Sequence, residues 1–307
     1  MAVSKNSILV VNLGGTISSE ISGDNIVRLK DAKWDKEYFD SLDKRSNCEV
    51  VSLAGYSSEN ATVQDYRRSL RGIRDAASKF SPDGILVLHG TDSMAYFAQL
   101  AVRTLSYLNI PLIITGSKIP MSSPLSDAPK NLRLAIGFLN AAIEGSSGSK
   151  TFGVVYNDSF TGASSFIAAT EVMSSDIKGD FKYFTDSADT DYNSEDYKKK
   201  AELFFEGERG KNDRILVIPA VPGFPYSAVR TSEADIILIE CYHSGTQNST
   251  DLKTLVKSFT GQRRKCFMAP VPTEGNRYES YKILVEAGAV PIEGVPLEGA
   301  WAEALLS

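Results

Sequence analysis

The sequence is poor in the residues that metal and disulfide chemistry require. Its 307 residues include two histidines, His89 and His243, and three cysteines, Cys48, Cys241 and Cys266. Two distant histidines give a histidine-rich zinc site too few ligands. The cysteines are scattered, odd in number and unlike any metal spacing, so reduced thiols and no metal are expected. Long apolar runs are also missing: none approaches the roughly 18 residues needed to span a bilayer. The amino-terminal stretch MAVSKNSILVVNLGG has neither the apolar core nor the cleavage signature of a secretory peptide. A cytoplasmic protein without membrane contact is the expectation. No basic surplus exists, since 33 Lys and Arg face 38 Asp and Glu for a net charge of −5. Binding of nucleic acid through phosphate neutralisation is therefore disfavoured. Neither GxGxxG nor GxxxxGK[ST] occurs, so dinucleotide and triphosphate cofactors find no support.

What is present suits a folded α/β chain. Apolar residues make up 42% and charged residues 23%, enough for a full core. At roughly 150 residues per domain the length suggests two domains or one large one. Short β-rich apolar runs lie at 8–11, 50–53, 85–88, 112–114 and 153–156, and a second series at 215–218, 236–239 and 266–268. Unbroken apolar runs of this kind suit strands buried on both faces of a parallel sheet. Between them, 62–80, 93–107, 127–143 and 251–259 carry apolar residues at helical spacing. Alternating strands and helices predict doubly wound α/β architecture. The segment 181–212 is rich in Asp, Lys, Glu, Ser and Tyr and separates five predicted strands from three. Domains at 1–185 and 213–307 joined by a charged linker at 186–212 are expected. A solvated helix within one domain is the alternative for that linker.

Ligands of open parallel sheets bind beyond the carboxyl ends of the strands, so the residues after each strand matter most. The first strand is followed by Asn12-Leu13-Gly14-Gly15-Thr16-Ile17-Ser18. Its glycines allow close backbone approach to a ligand, and Thr16 offers a hydroxyl or simply caps a turn. After the second comes Gly55-Tyr56-Ser57-Ser58-Glu59, where Ser58 and Glu59 suit the polar ends of a small ligand, while Thr62 caps the next helix. The third ends in His89-Gly90-Thr91-Asp92-Ser93. Asp92 and Ser93 fall at a helix start, but a Thr–Asp pair also positions a water or an amine. The fourth leads to Thr115-Gly116-Ser117-Lys118, with Ser126 or Asp127 as a helix cap further on. Lys118 is the one cation at a predicted strand mouth, or else a solvated surface charge. Hydroxyls, carboxylates and a lysine without a cofactor motif fit acyl transfer through threonine, with backbone N–H groups at the glycine turn stabilising the oxyanion.

These motifs, taken in order, resemble the bacterial-type L-asparaginase family with a nucleophilic threonine. LGGTIS, HGTDS about 75 residues later, then TGSKIP and SDAPKNL carry the resemblance, which continues more weakly to Glu240-Cys241-Tyr242-His243-Ser244-Gly245-Thr246-Gln247-Asn248. It implies a larger N-terminal domain with the active site and a smaller Rossmann- or flavodoxin-like C-terminal domain. It further implies hydrolysis of the side-chain amide of asparagine, sometimes glutamine, without cofactor or metal, by a cytoplasmic homodimer or homotetramer. Thr16 would be the nucleophile, and Thr91 and Asp92 the second catalytic pair, with Asp92 also gripping the substrate α-amino group. Ser58 would hold the α-carboxylate, Glu59 would contact the α-amino group, and Ser117 and Lys118 would close the pocket.

The departures from the family are specific. The stretch 18–30 has no tyrosine, and 157–170 has no lysine, where the family carries both. Ser93 stands for the usual threonine and Ala128 for the usual glycine. Loss of a general-base partner costs a factor of about 10²–10⁴. Three accounts follow: Lys118 substitutes, the chain acts on an unusual pathway amide, or it binds an amino acid without turnover. Tyr183, Tyr192 and Tyr197 are tyrosines that could enter a neighbouring site, with nothing in their spacing to select one.

Overall fold

Residues 8–13 of the first strand are buried on both faces, as an unbroken ILVVNL run between two helical layers must be. The computed structural model describes residues 5–22, 27–29, 34–145, 151–157, 164–175, 180–207 and 213–307. In chain order the first part runs β1 (Asn6–Gly14), β2 (Ser19–Ile21), β3 (Val27–Leu29), α1 (Lys36–Leu42), β4 (Ser46–Tyr56), α2 (Val63–Phe80), β5 (Gly84–Leu88), α3 (Met94–Leu105) and β6 (Leu112–Thr115). It continues with α4 (Ala128–Glu144), β7 (Phe152–Asn157), β8 (Ser164–Ala168), β9 (Val172–Ser175), β10 (Phe181–Tyr183) and α5 (Glu195–Glu206). Six strands form one sheet in the order β4-β1-β5-β6-β7-β8. All pairs are parallel except β7 with β8.

This order contains a reversal. The chain leaves β1 for β4 on one side, then crosses back to β5 on the other, so β1 and β5 flank a topological switch point. Loops diverging there leave a crevice beyond the strand ends. Below it, β1 sends Ile8 and Val10 into a core with Phe39, Leu132 and Ile136. The alternating Leu9 and Val11, equally buried, face the other layer, where α2 packs. On that side Gln99 and the fully buried Arg103 of α3 tie the helix to other parts of the unit: Gln99 donates to the carbonyls of Thr170 and Val172, and Arg103 to the Tyr192 hydroxyl at 3.0 Å. Tyr192 is thus buried within this unit, with Tyr197 edge-on against it.

The chain divides into two compact units, one of residues Met1–Tyr183 and Tyr192–Phe205, the other of Phe184–Asp191 and Glu206–Ser307. The charged segment contains α5, which buries Ala201, Phe204 and Phe205. Arg67 of α2 donates to the Phe204 carbonyl at 2.7 Å and lies over the Phe204 ring. The second unit holds β11 (Ile215–Ile218), β12 (Ile236–Glu240), α6 (Ser249–Thr260), β13 (Lys265–Val271), α7 (Glu279–Glu286), β14 (Val290–Glu293) and α8 (Leu297–Leu305). Its four strands are parallel and follow chain order. One face is covered with Leu252, Val256, Phe259 and Leu284, the other with Val295 and Ala300. The first unit is thus an α/β layer around a large, mainly parallel sheet, and the second a smaller α/β unit. Among the described residues no helix is long and apolar enough to cross a membrane.

Candidate functional site

At the switch point the backbone of two strand-end turns comes into direct contact. Gly14 and Gly15 have φ of 94° and 80°, a region that side chains rarely tolerate. A Cβ on Gly15 would lie 2.3 Å from the Gly90 nitrogen, and one on Gly90 would lie 2.4 Å from Ser58 Oγ. Glycine is therefore required on both sides for the turns after β1 and β5 and the loop after β4 to meet. Thr16 opens a single 3₁₀ turn, Thr16–Ser18, capped by no side chain. Ser18 N and Ser19 Oγ both bond to the Gly15 carbonyl, and Asn12 Oδ1 accepts from Gly14 N and Ser18 Oγ. The turn is held by its neighbours. Among the described residues the Thr16 hydroxyl itself has no hydrogen-bond partner and is half-buried.

The HGTDS turn is not a capping turn. Ser93 occupies the N-cap position of α3 without capping it; its hydroxyl donates instead to the Ser58 carbonyl at 2.6 Å. The Ser58 hydroxyl in turn donates to Asp92 Oδ2 at 3.1 Å, and Asp92 N approaches Ser58 Oγ at 3.3 Å. Ser58 is buried and Asp92 exposed, so the carboxylate stands at the mouth with one oxygen engaged. Thr91 is half-buried, and among the described residues its hydroxyl is also unpartnered. Glu59 is exposed beside them, with Asn60 Nδ2 lying 3.5 Å from its carboxylate.

Behind this turn lies a network of two residues, His89 and Tyr56, to which the strand-end motifs give no role. His89 Nδ1 lies 2.6 Å from the Gly90 carbonyl, which can only accept, so this nitrogen carries the proton. Nε2 is left to accept from the Tyr56 hydroxyl at 3.0 Å. Phe97 stacks on the ring at 4.6 Å. Complete burial pulls the His89 pKa down to about 4, and the Gly90 carbonyl and the Asp92 charge only partly oppose it. A neutral imidazole thus fixes the peptide that leads into Thr91 and Asp92.

Beyond β6, Ser117 and Lys118 play different parts. The buried Ser117 hydroxyl donates to the Ile119 carbonyl within its own loop. Lys118 Nζ pairs with Asp180 at 3.1 Å, both side chains largely buried. The same loop is anchored by Asp127, whose carboxylate accepts from Lys118 N at 3.0 Å and Ile119 N at 3.1 Å rather than capping α4. Ser126 Oγ accepts from Ala128 N instead. The stretches 18–30 and 157–170, which lack the family's tyrosine and lysine, lie partly outside the described residues. Among the described residues no group of three or more His, Cys, Asp or Glu converges as metal ligands would.

The structure therefore brings Thr16, Ser58, Thr91 and Asp92 to one edge, with Glu59 exposed beside them, while Lys118 is held in an ion pair with Asp180. In the second unit the Glu240–Asn248 loop is braced by Gln247. Its amide donates to the carbonyls of Pro219 and Glu240 and accepts from the Tyr226 hydroxyl.

Comparison with known proteins agrees with this architecture. The family model for the N-terminal part of asparaginase matches residues 7–174. An L-asparaginase of Thermococcus kodakarensis is 29% identical over 147 residues, 45% of this chain and 42% of that protein. A component of the glutamyl-tRNA(Gln) amidotransferase of Thermoplasma volcanium is 30% identical over 136 residues, 44% of this chain and 33% of its own length. The matches thus span less than half the length of these curated relatives. The solved structure of the thermostable L-asparaginase from Thermococcus kodakarensis superposes with a TM-score of 0.69 at 21% identity, over 98% of this chain and 92% of that one. The matched segment contains β1, the switch point and every strand of the large sheet, and on that ground the chain belongs to the asparaginase family.

Proposed function

We propose that the chain is an amidohydrolase that hydrolyses the side-chain amide of asparagine, or a related small amide, to the acid and ammonia. The observation that carries this reading is the pair of threonine hydroxyls, Thr16 and Thr91, without a hydrogen-bond partner among the described residues, on either side of the switch point beside Asp92. In this reading Ser58 and Asp92 hold the α-carboxylate and α-amino group of the substrate, and Glu59 adds charge at the amino end. The Thr16 hydroxyl attacks the amide carbon, and its proton passes to the leaving nitrogen, which departs as ammonia. Backbone N–H groups of the two packed glycine turns would stabilise the tetrahedral oxyanion. Water then attacks the threonyl ester, giving up a proton toward the Thr91–Asp92 pair, and the acid leaves as Thr16 regains its hydrogen. Thr16→Ala should abolish ammonia release from asparagine and glutamine while leaving the thermal midpoint in place. Undiminished release by that variant would overturn the assignment. As an asparaginase-family enzyme it would work as a homodimer or homotetramer in the cytoplasm, without cofactor.

One observation favours a second reading, in which an amino acid or amide is held without turnover. Lys118, the substitute cation suggested by its motif, is paired with Asp180, which reduces its freedom to serve as a base. A thermal shift with aspartate, without ammonia after prolonged incubation at high protein concentration, would select this reading over hydrolysis.

A further inference from the structure

Tyr156 ends in a hydroxyl that is buried and, among the described residues, has no hydrogen-bond partner; the residue is 3% exposed. Buried polar atoms are almost always paired, so an unpaired one needs an explanation. Its position supplies one. The β6–β7 ladder pairs Leu112 with Phe152, Ile113 with Gly153 and Ile114 with Val154. Thr115 Oγ1 still bonds to the Val155 carbonyl at 2.7 Å, and the same register carried onward sets Tyr156 beside Gly116. Neighbours in register point to the same face of a sheet. On that face a Cβ added to Gly116 would meet the His89 carbonyl oxygen at 2.5 Å, Met94 Cε at 2.9 Å and Thr91 Cγ2 at 3.4 Å. Gly116 therefore lets the turn that carries Thr91 pack directly on the strand end beside Tyr156. On its other flank Tyr156 meets the edge of Phe181 at 5.2 Å, next to the Asp180 that holds Lys118. Burial raises the phenol's pKa, and the carboxylates of Asp127, Asp180 and Asp92 raise it further. The hydroxyl is thus a donor and not a base.

We propose that Tyr156 is a substrate-contacting residue of the Thr91–Asp92 turn, its O–H donating to an acceptor oxygen of the amide or acid bound there. The proposal rests on the amidohydrolase reading and adds a residue that neither the strand-end motifs nor the family pattern assigns. The test is Tyr156→Phe, which removes only the oxygen. Expected are a roughly tenfold rise in KM for asparagine and in Kd for aspartate, a smaller change in kcat, and a thermal midpoint unchanged or higher. Wild-type KM and Kd in the variant, with turnover still dependent on Thr16, would overturn the proposal alone. A midpoint lowered by many degrees would show that the hydroxyl serves the fold, and would overturn it as well. A wild-type protein that neither releases ammonia nor binds aspartate would refute the amidohydrolase reading, and this proposal with it.

Discussion

A histidine locked neutral behind the Thr91–Asp92 turn makes the fold sensitive to acid. In the unfolded chain His89 takes up its proton near the ordinary value of 6.5, whereas in the folded protein burial delays this to about 4. Between those values the unfolded state binds a proton that the folded state refuses, so stability falls as pH falls. The contribution is complete above about pH 6.5 and lost by about pH 4, and that displacement amounts to about 3 kcal/mol. Urea midpoints measured from pH 7 to pH 4 should decline over this window, and His89→Gln, which does not titrate there, should flatten the decline. An equally steep decline in the variant would place the acid sensitivity in the carboxylates. The same residue shows where the sequence is silent. Ser58, Thr91 and Asp92 are legible because each follows a strand end and carries an obvious polar group. Tyr156 is not, since it ends the apolar run 153–156, and the roles of His89 and Tyr56 emerge only when the packed structure sets the two rings against each other behind the turn.

At the level of elements, the clearest local signal in the chain is the start of α2. Thr62 and Asp65 form a reciprocal capping box: Asp65 N donates to Thr62 Oγ1 at 3.2 Å, and Thr62 N to Asp65 Oδ2 at 2.9 Å. Thr62→Ala should lower stability by about 1 kcal/mol, read as a shift of the urea midpoint, while Thr62→Ser should retain most of it. No shift would mean that tertiary packing alone holds the first turn. The parallel strands are legible for a related reason, because an unbroken apolar run such as Ile8–Val11 has few other places to go. Strands β8, β9 and β10 are hard to read from sequence because SSFIA, VMSS and FKY are short and mixed in polarity. Helix α5 is hidden by the lysines and acids around it. Three buried residues, Ala201, Phe204 and Phe205, hold it to the first unit, a stripe too narrow to stand out in a charged segment.

For the whole molecule, the three cysteines act as reporters of two separate cores. Cys48 is packed with Ile8, Phe39 and Leu132 in the first unit, and Cys241 and Cys266 with Val256, Met268 and Leu284 in the second. All three thiols are free and buried, and burial is the first cause that pushes each up to about 12. Thiolate is the reactive form, so a disulfide reagent at neutral pH should label none of them in the native protein and all three in strong denaturant. Because each sheet has its own apolar layers on both faces, each unit can open as a separate cooperative block. Labelling under rising urea, followed by mass mapping, should therefore show Cys241 and Cys266 becoming reactive together at a midpoint distinct from that of Cys48. Three coincident midpoints would mean that the cores unfold as one. Early labelling of Cys48 alone would point to local opening at α1, which packs on the strand that carries it, instead of the loss of a whole unit.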